Sequence, residues 1–224
     1  RASIRLAAAA AMGDAIQGDT TVQSLREPCL RALEVAAEAL KVEKDPAVAA
    51  ALVSSMSVPQ ARTVLVPRAS ELLADALPEV VSALPEGFDR LSWGKALARA
   101  GVTVRAGAIN ATPNQAGGAT ILRQTTFAMT SSLAMARRIL NEHEDPASIA
   151  GTPLEVVLEE IVASGSSLIT LAAQRLGVSA PVPDLVSALE RALESGDPAQ
   201  LSDALDALGP VLDEMGVGTQ ALDN

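Results

Sequence analysis

The sequence predicts an all-α protein, a compact multi-helix bundle of about 8–10 helices with one long irregular loop near residues 102–118. Three observations carry this. Alanine, leucine, glutamate and arginine recur throughout, and these are the strongest helix formers. Aromatic rings are nearly absent, with Trp93, Phe88, Phe127 and no tyrosine. A core without large wedges must gain burial from many close Ala and Leu contacts, which suits packed helices. Finally, caps, prolines and glycines punctuate the chain at helical intervals.

Taken in order, residues 1–13 start Arg-Ala-Ser-Ile-Arg-Leu, run through five alanines and hold no acid. This is an exposed Ala-rich helix, with a transit-peptide remnant as the alternative. Residues 20–42 place Leu25, Leu33, Ala36, Ala37 and Leu40 on one helical face, with Pro28 in the first turn or at a kink. Asp45-Pro46 opens the next helix, to about Met56. Pro59, Pro67 and Pro78 divide residues 58–84 into two or three short helices. Ser92 caps a helix over 93–100, stopped by Gly101.

Between 102 and 118 the helical pattern fails. Thr103-Val104-Arg105-Ala106 fits a short strand, and 110–118 holds Asn, Pro, Gln and a glycine pair, a composition that favours a functional or mobile loop. A helix follows over 119–141. Thr152-Pro153-Leu154-Glu155 is a capping box for a helix reaching Leu176, where Gly177 stops it. Gly165 inside it marks a close helix approach. Pro183-Asp184 starts another helix, ending at Ser195-Gly196. Asp197-Pro198 starts the next, broken near Gly209-Pro210. Residues 45–53 resemble the helix start of HEAT-type repeats, yet no matching phrase recurs, so a bundle is expected over a solenoid. The reading is a single domain over 1–224, with a possible division into 1–101 and 119–224.

Charge is segregated. Residues 1–85 carry a net −2, 86–140 a net +5 and 141–224 a net −13, within a total of −10. Such asymmetry concerns partners rather than fold. The single cysteine, Cys29, excludes an internal disulfide and fits a reducing compartment, cytoplasm or organelle interior. Uncharged runs at 46–61, 106–122 and 161–174 are broken by polar residues or proline, so no membrane span is expected.

Reactive side chains are scarce, with one histidine and one cysteine. Glu142-His143-Glu144-Asp145 has metal-ligand types, but adjacent helical residues diverge, and no metal site is expected. Arg105, Gly117, Gly118 and Arg123 form a weak anion-binding candidate before a helix. Glu155 and Glu159 share a helical face without the histidines a di-metal site needs. Cys29 reads as a small buried hydrophobe, and Ser164 to Ser167 lack a base. Nucleic-acid binding is disfavoured by acidity and missing stacking platforms. No cofactor is expected. The leading expectation is a non-enzymatic accessory or scaffold subunit, part of an oligomer or complex, whose acidic 141–224 segment meets basic protein surfaces. The alternative is a small-molecule-binding domain with an apolar pocket lined by Trp93, Phe127, Met129 and Met135. A third is an enzyme using carboxylates and arginines alone, with Glu142, Glu144 or Glu155 facing a cleft.

Overall fold

The computed structural model describes residues 1–18, 23–219 and 222. Among them the chain is all-helical. It forms α1 (Ala2–Ile16), α2 (Gln23–Val42), α3 (Pro46–Met56), α4 (Val66–Ser82) and α5 (Arg90–Ala108). A second series comprises α6 (Gly118–Asn141), α7 (Pro153–Leu176), α8 (Val182–Ser195), α9 (Pro198–Asp206) and α10 (Gly209–Glu214), with a 3-10 turn over Pro146–Ile149. The expected start of the second helix, Thr20, lies outside the described residues.

The helices form a multi-helix bundle arranged in two layers. In one layer α1 touches α3, α3 touches α5 and α5 touches α7, while in the other α2 touches α4 and α4 touches α6. The directions follow from side-chain contacts. Gly94 meets Val157 and Gly101 meets Ser164, so α5 and α7 run parallel. Gly101 also meets Met129, and Arg90 at the start of α5 reaches Glu142 O just beyond α6, which sets α6 antiparallel to both. Ser70 near the start of α4 donates to Val104 O near the end of α5 at 3.1 Å, and the short 83–89 connection joins the other two ends, so α4 runs antiparallel to α5. Buried apolar residues from Ala9 to Leu222 join in one core cluster.

Several caps sit where the sequence places them. The Asp45 carboxylate accepts from Ala47 N and Val48 N, and that of Asp197 from Ala199 N. Gly177 and Gly196 end α7 and α8 in the left-handed conformation, which spares a Cβ penalty. The box at α7 does not form, since neither of its two bonds is made. Glu155 accepts from Gly151 N at 2.7 Å, and the Thr152 hydroxyl donates back to Ile149 O instead of capping the helix.

Four expectations fail. Residues 103–106 are helical, not a strand, and the irregular loop is only residues 109–117. Thr103, Val104, Ala106 and Ala108 are buried on α5, and that burial overrides the mild β preference of Thr and Val. Gly101 does not stop the helix; its missing side chain lets Met129 and Ser164 approach. Asp89, not Ser92, caps α5, accepting from Ser92 N. Finally, α4 is one helix, with Pro67 in its first turn and Pro78 inside, where the ring withholds an N–H from the Ala74 carbonyl. Eight of its side chains are buried, enough packing to hold the helix through that lost bond.

By length and composition α7 could cross a bilayer, a property the polar breaks in its sequence do not suggest. It is instead the core helix against α5, α6 and α8, with Ile161, Leu168 and Ile169 at 0 % exposure.

Two outcomes test this packing. Alanine at Gly107 or Gly101 gains helix propensity of about 1 kcal/mol. At Gly107 the new carbon overlaps the Ser70 Cβ and Oγ, and overpacking of about 1–3 kcal/mol wins. At Gly101 its neighbours stand 3.1 Å away and one is the flexible end of Met129. Urea unfolding therefore shows G107A clearly destabilised and G101A within about 0.5 kcal/mol of wild type. The second outcome concerns Asp89, whose carboxyl the Ser92 hydroxyl and backbone N–H hold below its ordinary value. A depressed folded pKa gives stability present above the unfolded pKa and lost as pH falls through the folded one. D89A thus costs about 1 kcal/mol at neutral pH, and its deficit in denaturant titrations closes in strong acid.

Candidate functional site

The helix ends around the 109–117 loop enclose a cavity of about 400 Å³, within the range of small-molecule sites. Its floor is apolar, with Val66 of α4, Ala106 of α5 and Ala111 of the loop all buried. Ile109 and Ile121 flank the mouth, 36 % and 41 % exposed. The residues with polar side chains at its wall are Gln60, Thr63, Asn110 and Gln115, all exposed. None of these makes a side-chain hydrogen bond to the described residues, and no charged residue lines the cavity.

The local sequence shapes this space in three ways. Glycine at 107 lets α4 and α5 touch at Ser70, closing the floor. Gly118 has no room for a side chain, which would overlap the Thr112 carbonyl, so the loop folds tightly onto the start of α6. From behind, Arg175 of α7 donates to Ala108 O at 3.1 Å and also to Ala111 O. That guanidinium satisfies carbonyls left free at the end of α5.

Arginines do the same elsewhere. Arg62 donates to Gln17 O and Gly18 O beyond α1, Arg90 to Glu142 O beyond α6, and Arg123 to Met215 O beyond α10 at 2.9 Å. Arg137 reaches Leu222 O at 2.7 Å and Arg138 reaches Leu84 O at 3.0 Å while lying 5.2 Å over the Phe88 ring. Between the basic middle segment and the acidic third, Arg90 and Arg138 pair with Glu142 and Arg137 with Asp206. The arginines of the middle segment therefore satisfy backbone carbonyls more than they neutralise carboxylates. Glu159, Glu160, Asp184, Glu190, Glu194, Asp203 and Asp213 stay exposed on α7 to α10, and the result is an outward acidic surface.

The structure disperses the residues singled out as an anion site. Gly118 lines the cavity, Arg123 lines a separate groove with Phe127 and Gly216, and Arg105 is exposed on the last turn of α5. Gly117, at φ 76°, makes the turn into α6. The proposed pocket lining is likewise corrected. Trp93, Met129 and Met135 are core at 0 % exposure, and Phe127 alone borders an open groove. The Trp93 indole N–H and the Ser166 hydroxyl are buried without a hydrogen-bond partner among the described residues.

No group of three or more His, Cys, Asp or Glu among the described residues is placed to hold a metal ion. Glu142 is held by Arg138, and Glu155 by the Gly151 N–H. Cys29 is buried with its thiol 3.2 Å from Ala15 O. Of the cavity residues the sequence singled out only Gly118 by name, although residues 106–122 carry no charge at all. Comparison with known proteins finds no matching family model, curated protein or solved structure.

Removing Arg175 tests what shapes the cavity. R175M leaves the carbonyls of Ala108 and Ala111 without their charged donor, a loss of about 1.5–3 kcal/mol. The loss is expected in urea unfolding, together with faster amide exchange confined to the 109–117 loop and the end of α5.

Proposed function

We propose that this protein is a helical accessory or scaffold subunit that docks into a larger assembly, presenting the acidic surface of α7 to α10 to a basic protein surface. One observation carries the reading: among the described residues the arginines nearest that surface contact backbone carbonyls, and only Arg137 also pairs with one of its carboxylates, Asp206. Arg123, Arg137 and Arg175 donate to backbone carbonyls, and Arg191 donates to Ser187 O on its own helix. The other carboxylates outside remain uncompensated, a field that accelerates encounter with a cationic partner and rejects anionic ones.

A second feature favours docking over catalysis. Only Ala9 and Ile16 of α1 are buried, while Ile4 is 66 % exposed beside Leu6 and a run of alanines. Arg5 and Asp14 interrupt this helix, yet an exposed apolar surface of this kind marks interaction sites.

The test is size-exclusion chromatography with light scattering of the full chain in native extract, at low and high salt. The reading predicts a larger species at low salt that dissociates at high salt, because exposed charge pairs are screened. It also predicts that E190Q/E194Q/D203N abolishes that species without changing thermal stability. A chain that runs as a monomer under both conditions, or a complex indifferent to salt and to the triple variant, contradicts it.

A further inference from the structure

We propose that the cavity at the α4–α5–α6 end is a binding site for a small uncharged molecule that carries an amide-like edge on an apolar body. The inference does not rest on the docking role. It comes from an agreement between sequence and structure. The longest stretch without charge, residues 106–122, is the stretch that supplies most of the cavity wall.

The chemistry of the wall selects the ligand. An ionic ligand entering here would lose hydration without meeting a counter-charge on the lining, a costly exchange. An uncharged ligand avoids that cost. The side-chain amides of Asn110, Gln115 and Gln60 each present an N–H donor beside a carbonyl acceptor. Such groups pair reciprocally with a primary amide, a lactam or a heterocycle bearing adjacent donor and acceptor. The Thr63 hydroxyl adds one more donor or acceptor. Below them, Val66, Ala106 and Ala111 offer a non-polar floor, and Ile109 and Ile121 offer flanks for one or two rings. The volume of about 400 Å³ admits a molecule of that size.

The cavity is also preformed. Its floor is fixed by the Gly107–Ser70 contact, its loop by the packing of Gly118 on Thr112, and its back by Arg175 on two carbonyls. All three contacts involve the backbone and leave the four rim side chains uncommitted. Binding to a preformed wall requires little ordering of the chain, which favours affinity for a small ligand.

The experiment compares three probes of one size and different charge, benzamide, benzoate and benzylamine, titrated at millimolar concentration into the full ¹⁵N-labelled chain. Benzamide is expected to shift the side-chain amide signals of Asn110 and Gln115 and backbone signals within 106–118. Benzoate and benzylamine are expected to need at least about tenfold more for the same shift, the equivalent of about 1.4 kcal/mol. The N110A/Q115A variant changes two exposed side chains, so it should melt like wild type while binding benzamide about tenfold more weakly. The proposal is overturned if benzamide causes no shifts in this region, if the three probes bind alike, if benzoate or benzylamine binds best, or if the double variant binds benzamide as wild type does.

Discussion

Everything in this molecule depends on how closely α5 can approach its neighbours. It meets α7 at Gly94 and Gly101, α6 at Gly101 and α4 at Gly107. At Gly94 a side-chain carbon would stand 2.7 Å from Val157 Cγ2, so the backbones are nearer than any larger residue allows. A chain with a single tryptophan and two phenylalanines cannot fill wide gaps between helices. It must bring them together and let many small contacts accumulate, since each pair of atoms contributes only about 0.1–0.2 kcal/mol. Glycine costs each of these positions about 1 kcal/mol of helix propensity, and the packing it admits offsets that cost. The result is two layers of helices with α5 at their centre.

Close helices create an electrical problem at their ends. The terminal carbonyls come near other elements where water has less access, and each wants a donor. Arginine from a distant part of the chain meets this need repeatedly, at the ends of α1, α5, α6 and α10. A planar guanidinium carries five donors and stays charged, so it satisfies carbonyls and complements the helix dipole together. Arg90, Arg137 and Arg138 of the middle segment are drawn partly inward by this role, while Lys95, Arg99, Arg105 and Arg123 stay exposed. The acidity of the last third is left facing solvent, and the charge pattern of the surface follows from how the helix ends are satisfied.

The sequence made the local grammar legible. Asp45 before Pro46, Asp197 before Pro198, and the glycines at 177 and 196 act within a few residues of their own position, and the structure places each as read. The same rules misled where one residue type has two uses. Gly101 reads as a stop, yet its partners Met129 and Ser164 lie far along the chain. Thr103 and Val104 read as strand, yet burial against neighbouring helices keeps them helical. Pro78 reads as a break, yet the buried face of α4 tolerates it. The arginine–carbonyl contacts were out of reach for a related reason, since Arg175 and Ala108 are 67 residues apart. The cavity was half legible: its uncharged wall stood out, but Gln60 and Thr63 join it only through the fold.

Native-state hydrogen exchange over the whole chain tests the central claim most directly. If the glycine-mediated contacts of α5 are what the fold rests on, amides in residues 94–108 and in the facing turns of α6 and α7 exchange only through global unfolding. Amides of α1, α8 and α9 then open earlier and at lower free energy. Exchange of the α5 amides through a local opening, while α1 or α8 stays protected, contradicts the account.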